Sequence, residues 1–568
     1  MKKFLFLSIP LFLIFLVSIL FSCNNAPKPA EEVIVENPDK LDEQTSKEIH
    51  QILEYALQNK GKVDDSTFLQ LPILVNSFYK TNSYKNVWCK NGTWQPIADS
   101  LLLFIQNAAL HGLFSKDYNI EKLLLIQKKL ATDSVQNKNA ILWSKADLLM
   151  TDASLLVINH LKYGRLLSDT IAAIDIESVK GNFLISHLKS LLVSTAFNLT
   201  LSKAEPTIKG YWDLKNAIKK FVDSMDTRKY TYLVYPFKKN NPKDSLLFIN
   251  KFQKRLIESN FIEVTDELPD SLKLVAAIKK FQRKQGVKQD GLITAKLISA
   301  INTNDVERFK RIAITLDRYK LLPDTMPENY VWVNLPAFYL QLWNHDTVVF
   351  ISKIICGKPE TRTPLLYSNI TNMVTYPTWT VPSSIIEKQY LPKLHTNPNY
   401  LSKIGLKLVD NRGDFVDPLK VKWSKYKKGI PFQIVQNSGD DNALGVIKFN
   451  FKNPYSVYLH DTNQRYLFKN SSRALSHGCV RVQDWDKLAF FIAKNDSLHA
   501  EVGETLQYTT DSIKRWIAVK KHKWIGVRNQ IPLFITYFGC EGKDGSIKFY
   551  KDIYVEDKLM REKYFTVN

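Results

Sequence analysis

The sequence predicts an α+β protein of several domains, because its hydrophobic pattern changes along the chain. Up to about residue 303, apolar residues recur at intervals of three and four, as on one face of an α-helix. From residue 330 onward, short runs of alternating β-branched and aromatic residues are typical of strands. The chain of 568 residues has room for about three domains. Its content of 45% hydrophobic and 24% charged residues is ordinary for a globular protein.

The charge balance is strongly basic. There are 78 Lys and Arg against 56 Asp and Glu, which gives a net charge of +22. A charge of this size suits nucleic acid, but it also suits other polyanionic surfaces, such as an envelope polymer or lipid headgroups. Composition alone leaves these partners open.

The beginning of the chain indicates export. Lys2 and Lys3 precede an apolar run over 4–22, which is the layout of a secretory signal. Ser22 lies immediately before Cys23, an arrangement that resembles a bacterial lipobox. The resemblance implies a signal peptide over 1–22, cleavage before Cys23 and a lipid on its thiol.

The alternative is an uncleaved membrane anchor, because a run of 19 residues is almost long enough to span a bilayer. Either outcome places the body of the protein outside the cytoplasm. We therefore expect a periplasmic protein of the cell envelope, held to the membrane by the lipid in the first case, and no nucleic-acid partner.

The next part of the chain is predicted to be a tether followed by helices. Residues 23–45 are rich in Asn, Pro, Glu, Asp and Lys, as solvated linkers are. A helical pattern then covers 46–240 and is clear at 101–110, where Asp99 and Ser100 stand in the position of a cap. No cluster of chemistry-bearing side chains appears there, so we interpret this part as structural.

Residues 241–305 contain three shorter helical stretches. Two of them cover 245–260 and 271–285; Gly286 is placed to end the second, and Thr294 can cap a third. The string Phe281-Gln282, then Gly286, then Asp290-Gly291 resembles the three-helix peptidoglycan-binding module. The alternative is an ordinary three-helix bundle without glycan binding. We expect a linker helix over 306–329.

A strand-rich domain is predicted over 330–568. Its strand stretches are 330–335, 338–343, 348–351, 443–449, 531–538 and 545–550, the last two interpreted as a closing hairpin. A Pro-, Lys- and Asn-rich segment over 383–440 interrupts the strands. We expect this insertion to form a lid over the sheet.

When Cys23 is set aside, four cysteines remain, and one of them lies in a chemically suggestive context. Three stand in apolar surroundings without a CxxC pair, as small buried residues do: Cys89, Cys356 and Cys540. Cys479 instead ends the string Ser476-His477-Gly478-Cys479, and His460 ends an alternating stretch upstream.

These residue types suit a cysteine nucleophile, which needs a base, donors for an oxyanion and access for the substrate. His460 can supply the base from a rigid strand. Gly478 lets a substrate approach the backbone, and the amide of Cys479 can face a developing oxyanion. Arg481 can stabilise the thiolate or bind a substrate carboxylate. We expect a thiolate near neutral pH beside an imidazolium ion.

The pattern resembles the catalytic signature of the L,D-transpeptidases: a His, 14–17 intervening residues, then Ser/Thr-His-Gly-Cys. Here 15 residues separate His460 from Ser476. The resemblance implies a β-sandwich-like catalytic domain in which Cys479 is the nucleophile and His460 is the base. It assigns oxyanion and substrate-positioning roles to Ser476, His477, Gly478 and Arg481, and makes Gly445, Trp379 and Tyr458 candidate cleft residues.

Further stretches resemble the large branch of this family, which combines a helical scaffold, a peptidoglycan-binding module and a capped catalytic domain. These stretches include 364–382, 442–445 and 550–554. The implied activity is 3→3 cross-linking of peptidoglycan, in which a tetrapeptide stem is the donor and a diamino acid of a neighbouring stem is the acceptor. No metal or organic cofactor is expected, since HExxH and comparable ligand sets are missing from the sequence.

Two other functions stay open at this point. On the same fold, water in place of the amine would make the protein an L,D-carboxypeptidase or endopeptidase. A lid that excludes water favours the amine. The other alternative is a wall-binding lipoprotein without catalysis, which the intact Cys479 and His460 disfavour.

Overall fold

The computed structural model describes residues 26, 28–166, 176–235, 242–263, 271–284, 288–501 and 507–565. The chain divides into two compact units, one ending at Pro206 and the other beginning at Thr207. None of the helices in the described ranges has the length and hydropathy that a membrane span needs. The predicted signal peptide and Cys23 lie outside the described residues.

The first unit is built from helices and one short hairpin. The helices are α1 (Leu41–Gln58), α2 (Pro72–Thr81), α3 (Pro96–Gln106), α4 (Ile120–Thr132), α5 (Ala140–Lys162), α6 (Ile176–Leu192) and α7 (Phe197–Ser202); the hairpin strands are β1 (Cys89–Lys90) and β2 (Thr93–Trp94). Helix α5 is buried on most of its circumference. It therefore forms the centre of this unit rather than a surface helix.

Two local details differ from the sequence-based expectation. The predicted tether over 23–45 is partly folded, because Val35 donates its N–H to the carbonyl of Lys138 (2.9 Å) and α1 begins at Leu41. Helix α3 begins at Pro96, which leaves Asp99 in the first turn instead of at the cap. Proline favours this start because the first helical N–H needs no acceptor.

The second unit opens with helices. They are α8 (Lys209–Asp223), α9 (Pro242–Glu258), α10 (Ser271–Lys284), α11 (Ala295–Asn302) and α12 (Asp305–Tyr319). Helices α9 to α11 share an apolar core that includes Phe252, Ile278 and Ile298. Thr294 caps α11 as predicted, by accepting the N–H of Leu297 at 3.1 Å. The predicted helix-ending Gly286 lies outside the described residues.

The main sheet occupies the centre of the second unit. Its strands are β3 (Asn329–Asn334), β4 (Tyr339–Asn344), β5 (Thr347–Gly357), β6 (Leu366–Thr375), β10 (Ile447–Phe451), β11 (Leu459–His460), β12 (Ala474–Ser476), β13 (Val480–Val482) and β14 (Lys523–Thr536). Within the described residues their order is β12-β5-β13-β11-β10-β6-β14-β3-β4, and β4 also pairs with β5. The sheet therefore curves until its far strand meets β5. One face buries an apolar core with α16 (Trp485–Leu498).

The insertion between β6 and β10 folds as a small body with its own core. Its elements are β7 (Trp379–Thr380), α13 (Ser383–Ile385), a π-helical turn (Ile386–Tyr390), α14 (Leu391–Thr396), α15 (Tyr400–Lys403), β8 (Lys407–Val409) and β9 (Gln433–Gln436). The three strands pair in the order β7-β9-β8, and Leu394, Trp423 and Ile434 are buried beneath them. We call this body, residues 379–436, the cap.

The predicted closing hairpin is wrong. Residues 531–536 belong to β14, which pairs with β6 and β3 inside the main sheet. The hairpin is formed instead by β15 (Cys540–Lys543) and β16 (Ser546–Phe549). The apolar run of β14 is buried on both faces, as a central strand requires. The remaining helices are α17 (Thr510–Ala518) and α18 (Glu556–Tyr564).

Candidate active site

Strand register brings the predicted catalytic residues to one face of the sheet. His460 of β11 lies opposite Lys448 of antiparallel β10 and beside Arg481 of parallel β13. Tyr458 and Cys479 directly precede β11 and β13, and both lie near Lys448 of this face. The alternate positions Leu459 and Val480 are buried in the apolar core. The site is therefore assembled on the face opposite that core.

Cys479 differs from the other described cysteines in its exposure. The residue as a whole is partly exposed, and Sγ lies 4.0 Å from the carbonyl oxygen of Ser456. The others are buried, and burial raises the pKa of Cys356 and of Cys540 to about 12 and that of Cys89 well above its ordinary value. This burial confirms that these three are small core residues rather than accessible nucleophiles.

Burial governs the protonation of the catalytic pair. It raises the pKa of the Cys479 thiol, although Tyr458, Lys448 and Arg481 all favour the thiolate. It lowers the pKa of His460 to about 3, with further contributions from the positive charges of Arg481 and Lys448. Burial therefore favours a neutral thiol and a neutral imidazole in the resting site over the expected thiolate–imidazolium pair.

Tyr458 and Lys448 border the thiol. Both the backbone N–H and the hydroxyl of Tyr458 favour the ionised form of Cys479. The Lys448 ammonium lies 3.9 Å from the centroid of the Tyr458 ring, and no carboxylate of the described residues pairs with it. Burial lowers the pKa of Lys448. Lys448 was not among the predicted site residues, because its place opposite His460 depends on a strand register that no motif encodes.

The cap reaches this site through two side chains. Trp379 is half-buried and its side chain hydrogen-bonds Tyr458. Gln389, from the π-helical turn, contacts the imidazole of the exposed His477 through its side-chain amide. The insertion predicted as a lid therefore touches residues on both sides of Cys479. Gln389 was not among the predicted site residues.

Ser476 and Gly478 shape the turn that presents the nucleophile. The Ser476 hydroxyl accepts the N–H of Gly478 (3.1 Å) and donates to the carbonyl of Cys479 (2.6 Å). Gly478 adopts a positive φ of 127°, which a residue with a side chain rarely does. The N–H of Cys479 makes no hydrogen bond within the described residues. This amide is therefore free to donate a hydrogen bond to a bound group.

Gly445, predicted as a cleft residue, lies against Asp461, the residue that follows His460. It has a φ of 62°, and a Cβ there would collide with the carboxylate of Asp461. Asp461 is fully buried, accepts the N–H of Val446 at 3.1 Å and pairs with Arg465. Asp461 is thus occupied with these groups, although it directly follows His460 in sequence.

Arg481 completes the charged surroundings of the site. One guanidinium nitrogen donates to Gln464 Oε1 at 3.0 Å, whereas the buried Nε has no hydrogen-bond partner in the described residues. In the same residues, no group of three or more His, Cys, Asp or Glu side chains could hold a metal ion.

Comparisons with known proteins agree with this arrangement. A family model described as the L,D-transpeptidase catalytic domain, YkuD, matches residues 328–500, and one described as a scaffold domain matches residues 74–218. A Haemophilus influenzae protein named "Putative L,D-transpeptidase" is 34% identical over 249 residues, which are 44% of this chain and 48% of that protein. The chain thus covers about half the length of this curated relative.

Solved structures of two further proteins show a weak likeness. "L,D-transpeptidase from Mycobacterium smegmatis" is 10% identical with a TM-score of 0.17, covering 37% of this chain and 58% of the other. An L,D-transpeptidase from Stackebrandtia nassauensis is 14% identical with a TM-score of 0.15, covering 52% and 93%. At TM-scores this low, the likeness supports no conclusion about the fold or function of this chain.

The family models and the curated relative agree in what they match. Residues 328–500 match the L,D-transpeptidase catalytic domain, YkuD, and residues 74–218 match a scaffold domain.

Proposed function

We propose that this protein forms 3→3 cross-links in peptidoglycan through a thioester on Cys479. The supporting observation is the single face on which Cys479, His460, Tyr458 and Arg481 meet, with the Cys479 amide unbonded. A nucleophile, a base and an oxyanion donor are the three parts that acyl transfer needs. The proposal requires no metal or organic cofactor.

The neutral resting pair defines the first step. As the Cys479 sulfur attacks the carbonyl of the third residue in a tetrapeptide stem, His460 takes the thiol proton. The tetrahedral oxyanion is held by the Cys479 N–H. Its collapse breaks the peptide bond to terminal D-alanine, and the imidazolium returns the proton to that leaving amine.

The second step reverses these roles. The side-chain amine of a diamino acid in a neighbouring stem attacks the thioester carbonyl, and His460 takes a proton from this amine. The new amide forms and the thiolate leaves, recovering its proton from the imidazolium. The cap contacts at Trp379 and Gln389 favour the amine over water, because a covered site limits hydrolysis of the thioester.

Product analysis tests the proposal. Purified protein with tetrapeptide-bearing disaccharides should yield cross-linked dimers by mass, and Cys479→Ala should yield none. Trimmed monomers without dimers would instead identify a hydrolase. No product at all from a folded protein would identify a wall-binding protein without catalysis.

A carbapenem provides an independent probe of the nucleophile, because its strained carbonyl mimics the donor stem. Intact mass should show one adduct, mapped by peptide digestion to Cys479. His460→Ala should slow acylation by at least about a hundredfold, the scale of a lost general base. An adduct on Cys356 or Cys540 would contradict the assignment.

We also propose that a lipid on Cys23 anchors the protein to a membrane of the cell envelope, in the periplasm. The supporting feature is Ser22-Cys23 at the end of the apolar run 4–22. Cys23→Ala should leave an unprocessed precursor without lipid. Normal processing and lipid labelling of that variant would contradict the anchor.

A further inference from the structure

We propose that Thr363, outside the catalytic motif, is a positioning residue that orients the Cys479 N–H as the oxyanion donor. This inference rests on the proposed acyl-transfer function and deepens it. Thr363 lies in the segment between β5 and β6 and is only 2% exposed.

The hydrogen bonds of Thr363 fix the direction of its hydroxyl. Oγ1 accepts the N–H of Gly357 at 2.9 Å and lies 2.8 Å from the carbonyl oxygen of Gly478, to which it donates. In a trans peptide the carbonyl and the next N–H point in opposite directions. Anchoring the Gly478 carbonyl to Thr363 therefore turns the N–H of Cys479 away from Thr363 and leaves it unbonded.

The hydrogen bond from Thr363 is important because the peptide group that it holds, between Gly478 and Cys479, directly follows a glycine. Gly478 has no side chain to restrict its backbone, and its φ of 127° is one of several accessible values. Ser476 holds the N–H of Gly478 and the carbonyl of Cys479, but neither belongs to the peptide group between the two residues. Within the described residues, the hydroxyl of Thr363 is the group that holds that peptide.

Tyr554 fixes Thr363 from the far side of the loop. The Tyr554 hydroxyl donates to the carbonyl of Gly357 at 2.7 Å and accepts the N–H of Thr363 at 3.2 Å. The backbone of Tyr554 is in turn held by the Tyr537 hydroxyl at 3.0 Å. Tyr554 and Tyr537 both lie beyond the residues matched by the catalytic-domain model.

The test compares two reactions of the same thiol. Acylation by a carbapenem creates an oxyanion, whereas alkylation by iodoacetamide displaces iodide at a saturated carbon and creates none. Thr363→Val keeps the shape and removes the hydroxyl. We expect acylation of Cys479 to slow about 10- to 100-fold, somewhat below the loss of a direct oxyanion donor. Alkylation should stay within about twofold of the unchanged protein.

Thr363→Ser is the matched control, since it keeps the hydroxyl and should acylate at a nearly unchanged rate. If Thr363→Val does not fold, Tyr554→Phe serves in its place, with the same selective loss at smaller amplitude. Equal losses in both reactions, or no loss in acylation, would overturn the role of Thr363. If the protein without substitutions is alkylated at Cys479 but never acylated, this result overturns the proposed function, and this inference with it.

Discussion

The Cys479 thiol lies among groups that favour its ionised form, yet burial outweighs them. The backbone and hydroxyl of Tyr458 and the charges of Lys448 and Arg481 all lower its pKa, and the net direction is still upward. In the proposed reaction, activation therefore comes during attack, when His460 removes the thiol proton, rather than from a thiolate already present in the resting site. This difference is measurable through the pH dependence of alkylation.

We expect the rate of Cys479 alkylation by iodoacetamide to be still rising above pH 9, because the rate follows the thiolate fraction and the pKa of this thiol is raised. Lys448→Met should move the midpoint to still higher pH, since it removes a positive charge beside the thiolate. Lys448→Arg, which keeps the charge, is the control. A plateau reached near pH 6 would contradict the neutral resting pair.

A side chain at Gly445 should lower both the stability of the protein and the reactivity of Cys479. Both Gly445 and Gly405 have a positive φ, but only at Gly445 would a Cβ collide with a neighbour, the carboxylate of Asp461. Gly405→Ala should therefore lose about 1 kcal/mol of unfolding free energy from backbone strain alone. Gly445→Ala should lose more, and should also slow acylation of Cys479, because Asp461 adjoins His460. Denaturant unfolding and acylation rates check this prediction, and equal losses in the two variants would contradict it.

At the scale of elements, a buried ion cluster joins α12 to α18. Asp557 is fully buried and pairs with Arg311 (2.8 Å) and Arg318 (2.6 Å). Arg311 also donates to the carbonyl of Tyr550 at 2.6 Å. Removing one partner of such a cluster leaves uncompensated buried charge.

Asp557→Asn should therefore lower the free energy of unfolding of the second unit by about 3 to 5 kcal/mol. The neighbouring substitution Glu556→Gln removes a partly exposed ion pair with Arg362 and should cost less than about 1 kcal/mol. Urea titration of both variants measures the contrast. A similar loss of unfolding free energy in both variants would show that the buried cluster stabilises the fold no more than the partly exposed ion pair does.

The three-helix module shows which sequence signals carry structure. Phe281 is buried in its core, and Gln282 donates to Asp290 (2.8 Å) and accepts the N–H of Gly291 (2.9 Å). Phe281 therefore packs in the core, and Gln282 stabilises the turn at Asp290-Gly291 through its two hydrogen bonds. The spacing of apolar residues in the stretch 271–285 predicts one buried face with Leu272, Val275, Ile278 and Phe281, and this was partly wrong, since Leu272 is 80% exposed while Ala277 is buried. The spacing of apolar residues predicted the helix correctly, but it did not determine which side of the helix faces the neighbouring helices.

At the scale of the whole molecule, deleting the three-helix module tests whether it serves substrate binding and not the chemical step. Its described residues hold no converging acid–base pair, and its helices share a core of their own. Deleting residues 241–305 should lower activity on intact sacculi more than activity on soluble tetrapeptide fragments. The ratio of the two rates is the measurement. Equal losses on both substrates would point to a folding role instead.

Much of the molecule could be predicted from local patterns, and the remainder depends on long-range pairing. The Ser-His-Gly-Cys string and the upstream His460 indicated the candidate site without any structure, because the family signature lies within a short stretch. Lys448, Thr363 and Gln389 are separated from Cys479 by 31 to 116 positions in sequence. Only the register of the sheet and the fold of the cap place them nearby.

The parallel pairing of β14 with β3 has a consequence for biosynthesis. Leu533 of β14 lies beside Val331 of β3, so these neighbours are about 200 positions apart in the chain. During translation, β3 emerges long before its partner strand exists and exposes an unpaired edge until β14 follows. Contacts this distant slow folding, since a large loop must close first. Newly made chains would therefore need protection from aggregation while the sheet is incomplete.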